Sequence, residues 1–441
     1  MQEIQPELMD IMREPKAIGN LGVPQKLVVD LIYRLLFNEG NVQISRFSEV
    51  LKIPPHIADS QLAHMKYEHL VEIAKAGSLG PLSYTYRLTE KGLERAKDAA
   101  EKSQYTDAVP VSIEAYSQAI LLQTQRREKI SPESVKNAIS HLILPDNFHR
   151  RIGPAVNAAS SLFLYGPPGN GKTTVAQIVG ELLAGSDPIW LPYSISIGGQ
   201  IIKLIDPLYH EPVEFEHDTQ NGKDKVDMRW GLFKRPAIMV GGELTMDALD
   251  LRYEESAKFY EAPLQLKANG GMFLIDDFGR QPMSPQELLN RWIVPLESEI
   301  DFLRLRTGQT LEFPFRQLIV FSTNLDPAEL VDGAFLRRIQ IKVEVDGPDE
   351  KMFYQIFSIM CKHYKVPFDK DGFLYLVRRW FREANRVMQA VHPRDILKAL
   401  VALCDYEGID PQLTPNLIDE ACQSYFVDMN REKSWAMAGT D

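Results

Sequence analysis

The residues with the clearest chemical potential are consecutive: Gly166, Pro167, Pro168, Gly169, Asn170, Gly171, Lys172, Thr173 and Thr174. Glycines at this spacing let successive backbone N–H groups turn inward around a phosphate chain. A helix that starts at the end of the run adds its partial positive charge. Lys172 supplies a cation for the terminal phosphates, and the Thr173 hydroxyl is a ligand for Mg²⁺. The run follows the apolar stretch Ser161–Tyr165 and precedes a helical pattern from Val175 to Leu183. Strand, Gly-rich turn and helix together predict a nucleoside triphosphate site.

Three further groups have residue types suited to the same chemistry. Gly271-Met272-Phe273-Leu274-Ile275 reads as an apolar strand that ends in the paired acids Asp276 and Asp277. Set beside the P-loop strand, the first acid is placed to hold Mg²⁺ and the second to orient or deprotonate an attacking water. Asp277-Phe278-Gly279 also reproduces the magnesium motif of protein kinases. No catalytic-loop signature and no kinase-type Gly-rich loop accompany it, so that reading is set aside. Gln317–Thr323 is another apolar strand, with the amide of Asn324 at its tip. Arg337 and Arg338 follow an apparent helix, and Arg394 lies in His392-Pro393-Arg394-Asp395.

The elements that must position these groups fall into an order along the chain. Residues 1–104 contain three helical patterns and a hairpin signal, Val71–Ala76 with Leu82–Leu88, followed by a charged helix, Glu90–Lys102. Three helices followed by a two-stranded wing resemble a winged helix-turn-helix domain. Residues 105–130 read as a linker and a helix. Residues 131–346 alternate strands and helices, which predicts an α/β core with a parallel sheet. Residues 347–441 read as helical, a C-terminal lid. Between the second core strand and the helix before the paired acids, Tyr193 to Asp250 is an unusually long stretch. Its polar run from Glu214 to Lys225 reads as a solvated loop, or as a loop facing a pore or a partner. Asp301–Arg306 and Thr310–Phe315 alternate around a Gly-containing turn and predict a β-hairpin, with an ordinary edge strand as the alternative for the first.

Taken together and in this order, the motifs resemble the AAA+ ATPase superfamily over residues of about 130–430. The resemblance implies Walker A at 166–173, Walker B at 272–277 and a sensor-1 amide at Asn324. It also implies an arginine finger at Arg337 or Arg338, acting on a neighbouring subunit, and a sensor-2 arginine at Arg394. ATP with Mg²⁺, rather than GTP, is expected on this resemblance alone. The chain departs from the pattern at Asp277, where the family has Glu, which points to slow hydrolysis or a differently placed water. The hairpin looks like the pre-sensor-1 hairpin of MoxR-type ATPases, magnesium-chelatase subunits and bacterial enhancer-binding activators. The Gly-Ala-Phe-Thr-Gly-Ala loop of the activators is missing, which argues against sigma-factor remodelling.

Composition narrows the function classes. The chain has 441 residues, 44% hydrophobic and 25% charged, as expected of a soluble globular protein of two or three domains. No apolar run approaches the roughly 18 residues needed to span a bilayer. The N-terminus lacks the cationic and apolar regions of a signal peptide, so the cytoplasm is the expected location. Cys361, Cys404 and Cys422 are expected to be reduced core residues, and Cys361 with His363 has no ligand cluster to make a metal site. The net charge of −11 argues against a chain dominated by nucleic-acid contacts. Residues 1–110 carry 13 Lys/Arg against 15 Asp/Glu, and the stretch His56–Lys66 of the third helix of the N-terminal unit, His56–Leu70, has one Lys and no Arg. A DNA-reading face needs phosphate-neutralising cations, so protein docking is preferred for this unit.

The leading expectation is a Mg²⁺-ATP-driven ATPase that forms a ring, expected to be a hexamer, and remodels a protein client or complex. The rivals are an ATP-switched DNA-binding regulator or loader, and an ATP-binding scaffold that barely hydrolyses.

Overall fold

Five short strands form one parallel sheet, in the order Ala237–Val240, Met272–Ile275, Leu318–Thr323, Ser161–Tyr165, Ile341–Glu344. The computed structural model describes residues 4–76, 83–125, 128–158, 161–215, 225–330 and 333–426. Every residue of Met272–Ile275 and of Leu318–Thr323 is buried, as a parallel sheet covered on both faces requires. On one face, the helices Phe148–Ala158 and Lys172–Ala184 contribute Ile152, Val175, Val179 and Leu183 to the core. On the other, the helix Pro285–Ser298 buries Leu288, Leu289 and Trp292 against Phe273 and Phe321. That helix starts where Ser284 and Glu287 form a reciprocal capping box with a proline in the first turn, which satisfies N–H groups that would otherwise lack partners.

The sheet order corrects one expectation. The acid strand Met272–Ile275 is not beside the P-loop strand, because Leu318–Thr323 pairs with both and lies between them. A second correction concerns the strand on the outer side of the acid strand. Ile189–Pro192, just before Tyr193, pairs antiparallel with Trp230–Phe233 outside the parallel sheet, and Ala237–Val240 takes the place expected of a second core strand.

The long stretch from Tyr193 to Asp250 contains strands of its own among its described residues. Ser194–Ile197 and Gln200–Lys203 form the centre of a separate five-stranded sheet, ordered Arg252–Glu254, Phe259–Glu261, Gln200–Lys203, Ser194–Ile197, Val111–Ser112. Residues 216–224, most of the polar run with its Asn221-Gly222 turn signal, lie outside the described residues. The expected hairpin is present: Ile300–Arg304 pairs antiparallel with Thr310–Pro314, Leu303 opposite Leu311. Its inner residues Leu303, Leu311 and Phe313 are buried in the same core as Ile195, Ile202 and Tyr260. The hairpin is therefore covered by the second sheet along one face.

Residues 105–125, within the stretch expected as a linker and helix, join that module to the N-terminal core. Tyr105 and Val109 are buried, and the Tyr105 hydroxyl lies 3.0 Å from Ser194 Oγ. Val111–Ser112 is an edge strand of the sheet, and the helix Ile113–Gln125 packs Tyr116 and Ile120 into its core. Buried Arg229 forks onto Asp227 and donates to the carbonyls of Leu21 and Pro110, at 2.7 and 3.0 Å. Its charge and donors are thus satisfied away from water, and in the process it fastens the N-terminal residues to the module.

The N-terminal unit has the helices Gln25–Glu39, Ile44–Leu51 and Pro55–Tyr67, the strands Val71–Lys75 and Thr85–Leu88, and the closing helix Glu90–Lys102. An additional short strand, Val42–Gln43, pairs with Thr85–Leu88 and makes the sheet three-stranded. The turn expected between the wing strands falls at 77–82, outside the described residues. At the other end of the chain, the helices Glu350–His363, Lys370–Leu376, His392–Glu407 and Pro415–Tyr425 share one core. Cys361, Cys404 and Cys422 are buried and free within it, and burial pushes the thiols of Cys361 and Cys422 up to about 12. Among the described residues, no helix is long and apolar enough to cross a membrane.

Candidate functional site

The phosphate loop joins the buried strand Ser161–Tyr165 to the helix Lys172–Ala184 at the carboxyl end of the sheet. Two of its glycines are required by close approach as well as by backbone angle. Gly166 has φ +134°, and a Cβ there would stand 2.6 Å from the Val345 carbonyl oxygen. Gly169 has φ +74°, and a Cβ would meet Val391 Cγ1 at 2.7 Å. Lys172 is only 6% exposed, and its ammonium donates to the carbonyls of Gly166 and Pro167, both at 2.8 Å. Burial lowers its pKa, while the nearby carboxylates of Asp276 and Asp277 act in the opposite direction. A partly desolvated ammonium held against loop carbonyls is well matched to a phosphate that replaces them.

The acids and the amide converge on the same end of the sheet. Thr173 Oγ1 donates to Asp276 Oδ2 at 2.8 Å, although their strands are not neighbours. Asp276 directly follows its strand, and its N–H continues the ladder to the Val240 carbonyl. Asp277 then takes a left-handed backbone, φ +47°, which swings its side chain away from the strand direction. Asn324 Nδ2 donates to Asp277 Oδ1 at 3.1 Å. The turn is locked to the Asn324 strand by the Phe278 N–H on the Ser322 carbonyl and by the Thr323 hydroxyl on the Phe278 carbonyl, both at 2.7 Å.

Lys172, Thr173, Asp276, Asp277, Asn324 and Arg394 line one cleft of about 400 Å³. Thr174 lines it too, and Arg394 reaches it from the helix His392–Glu407 while donating to Asp395 at 2.8 Å. The expected arginine pair stands elsewhere. Arg337 and Arg338 do not follow the helix but form its last two residues, Gly333–Arg338, and neither lines the cleft. Arg337 is exposed, whereas Arg338 pairs with Glu297 of the helix Pro285–Ser298 at 2.5 Å.

Thr173 and Asp276 offer hard oxygen donors side by side, the donor type Mg²⁺ takes. Among the described residues there is no cluster of three or more His, Cys, Asp or Glu suited to a metal. One carboxylate and one hydroxyl suit an ion that fills its remaining positions with phosphate and water.

Three features of the site were not anticipated from the sequence. Beside the cleft is an apolar cavity of about 160 Å³, lined by Leu142, Ile143, Ile356, Ile359 and Met360 along with Gly171 and Thr174 of the loop. Asn170 is buried and accepts from the Ala390 N–H at 3.1 Å, while the Val391 N–H donates to the Gly169 carbonyl at 2.9 Å. The C-terminal helical unit is thereby docked on the loop itself. Gln281, buried behind the paired acids, bonds both sides of their turn. No periodicity or motif marks Leu142, Ala390 or Gln281, since each depends on a partner far away in the chain or across a turn.

Residues 349–424 match the family model described as a domain of unknown function, DUF8689. No curated protein matches the sequence. Among solved structures, a point mutant of RuvB from Thermotoga maritima is similar at 14% identity and a TM-score of 0.37, with 68% of this chain and 73% of that one covered. NtrX from Brucella abortus in complex with ATP is similar at 13% identity and a TM-score of 0.40, with 77% of this chain and 69% of that one covered.

Proposed function

We propose that this chain is a Mg²⁺-dependent ATPase of the AAA+ type that assembles into a ring and remodels a protein client. The observation that carries the reading is the convergence of the Thr173–Asp276 and Asp277–Asn324 pairs on one cleft with Lys172 and Arg394. In this reading, Lys172 exchanges its loop carbonyls for the β- and γ-phosphates, and Thr173 with Asp276 would hold Mg²⁺. The bound ion would neutralise charge on the phosphate oxygens. Asp277, oriented by Asn324, accepts a proton from the attacking water. Arg394 stabilises charge on the terminal phosphate from the helical side. The adjoining apolar cavity suits a flat, weakly polar base, and the loop residues Gly171 and Thr174, shared with the cleft, set base and phosphates in one continuous site. The hairpin between the acid strand and the Asn324 strand supports placement in the pre-sensor-1 group.

For the N-terminal unit, which we read as a winged-helix domain, the exposed face of the helix Pro55–Tyr67 favours a protein partner over DNA. Its exposed residues include His56, Ser60, Ala63, His64, Lys66 and Tyr67, a single Lys with no Arg, and Tyr67 is 85% exposed. Aromatic anchors with few charges suit protein interfaces, whereas duplex DNA demands several phosphate-neutralising cations. ATP hydrolysis measured with and without DNA, on full-length protein of measured mass, tests the whole reading. Mg²⁺-dependent hydrolysis by an oligomer, unchanged by DNA, is the expected result. Stimulation by DNA would favour a DNA-acting regulator, and a ring without turnover would favour an ATP-binding scaffold.

A further inference from the structure

We infer that Gln281 is a positioning residue for Asp277, fixing the direction of that carboxylate by tying the acid turn to the end of the strand Ala237–Val240; the inference rests on the ATPase reading above. The turn from Asp276 to Gln281 needs an external brace. Asp277 occupies left-handed backbone space at φ +47°, which a non-glycine residue adopts reluctantly, and Gly279 follows at φ +99°. Gln281 is 9% exposed and its side-chain amide lies inside this turn. Its carbonyl oxygen accepts from the Gly279 N–H at 2.9 Å. Its nitrogen lies 3.1 Å from the Asp276 carbonyl, 3.3 Å from the Asp277 carbonyl and 3.2 Å from the Gly241 carbonyl.

Two N–H bonds are thus shared among three carbonyl oxygens that belong to two separate chain segments. Without that amide, the Asp276 carbonyl would lose this donor, and the Asp277 and Gly241 carbonyls would keep only the Arg280 and Leu244 N–H groups, at 3.0 and 3.3 Å. The turn would relax, and the first feature to change would be the Asp277 carboxylate, whose Asn324 contact at 3.1 Å depends on the strained backbone. The Gly241 end of the brace has a further consequence. Strand Ala237–Val240 follows Trp230–Phe233, an element of the inserted β-module, so the brace sets the acid against the chain leaving that module. Lys172 and Thr173 lie on a different loop, and the Asp276 carboxylate is held separately by the Thr173 hydroxyl at 2.8 Å, so nucleotide affinity is expected to depend little on the brace.

The test compares full-length Gln281→Met, which keeps side-chain volume and removes the amide, with Gln281→Ala. Steady-state ATP hydrolysis gives kcat and KM, and titration with a non-hydrolysable ATP analogue gives affinity. In Gln281→Met, kcat is expected to fall about 10- to 100-fold, with KM and affinity within about threefold, as when a reacting group is misplaced without loss of binding. Combined with Asn324→Ala, the loss in kcat should be smaller than the product of the two separate losses, because both residues act through Asp277. A kcat within about twofold of the unmodified protein, a simple product of losses, or kcat and affinity falling together in both variants would overturn the inference. If the unmodified protein itself does not hydrolyse ATP, the ATPase reading is wrong and this inference falls with it. Turnover by the unmodified protein that is indifferent to Gln281 removes this inference alone.

Discussion

The side-chain carbonyl of Asn170 accepts a hydrogen bond from the Ala390 N–H at 3.1 Å, joining the phosphate loop directly to the C-terminal helical unit. Arg394 reaches the cleft from that same unit. Asn170→Ala removes the neutral hydrogen bond from Ala390, of about 1 kcal/mol, together with a longer one to the Pro167 carbonyl at 3.4 Å, and loosens the docked segment. ATP affinity should drop about fivefold, and amide exchange at Ala390 and Val391 should quicken. Hydrogen exchange with mass-spectrometric readout, alongside a binding titration, checks both, and unchanged exchange at these amides would contradict the docking role.

Lys172 and Asp277 should separate binding from turnover. Lys172→Ala is expected to remove most nucleotide affinity in isothermal titration, since the ammonium against the Gly166 and Pro167 carbonyls is the cation of the loop itself. Asp277→Asn should bind ATP nearly as well as the unmodified protein and lose turnover, because the Thr173–Asp276 pair is untouched. Normal hydrolysis by Asp277→Asn would shift the search for the base to another acid.

The two arginines that end the helix Gly333–Arg338 should behave differently. Arg338 is engaged with Glu297 in its own chain, whereas Arg337 is exposed, so Arg337 is the better placed to reach a neighbouring subunit. Arg337→Ala should bind ATP but lose turnover, by as much as the 10³-fold or more attributed to arginine fingers. Arg338→Ala should cost little beyond a partly exposed ion pair, about 0–1 kcal/mol of stability. Mixing Arg337→Ala with Lys172→Ala should restore part of the activity, one chain supplying the guanidinium and the other the nucleotide. Specific activity should also rise with protein concentration. Absence of both effects would mean that Arg337 does not work across subunits.

Acid should loosen the helical unit through His392. Burial, reinforced by the Arg386 charge, lowers its pKa from 6.5 to about 4, and its Nδ1 accepts from the Gln389 N–H at 3.1 Å. The folded chain therefore keeps this imidazole neutral where the unfolded chain already binds a proton. Its stability contribution is intact above about pH 6.5, declines as pH falls towards 4, and levels off below. The melting temperature should fall through this window, and His392→Gln should flatten that part of the profile. An identical pH slope in the variant would show that other groups govern it.

Much of the candidate site was legible because its signals are local. The phosphate loop must combine glycines, a lysine and a threonine within a few residues, and Met272–Asp277 must be an apolar run ending in acids. The hairpin at 300–314 announces itself by alternation around Gly308, and the N-terminal helices by their periodicity. The module built from Val111–Ser112, residues 189–205 and residues 251–261 was not legible. Its strands are two to four residues long, and its two local hairpins, Ser194–Ile197 with Gln200–Lys203 and Arg252–Glu254 with Phe259–Glu261, are joined into one sheet only by pairings distant in the chain. Such strands carry too few residues to show a period, so 105–110 reads as a linker before the helix and 193–250 as a long loop.

By itself, then, the sequence determined the glycine–lysine–threonine loop between a strand and a helix, the paired acids that follow another strand, and the α/β-then-helical order. Those depend on residue type and short-range spacing. Only tertiary structure decided that the Asn324 strand separates the acid strand from the P-loop strand, that Thr173 nonetheless reaches Asp276, and that Arg338 is engaged by Glu297 while Arg337 is exposed. It also decided that the helical unit docks on Asn170 and that Gln281 braces Asp277. Hydrogen bonds and ion pairs are satisfied by whichever group the fold brings within about 3 Å. Which group that is depends on sheet order and on long-range packing, neither of which leaves a period or a spacing in the chain.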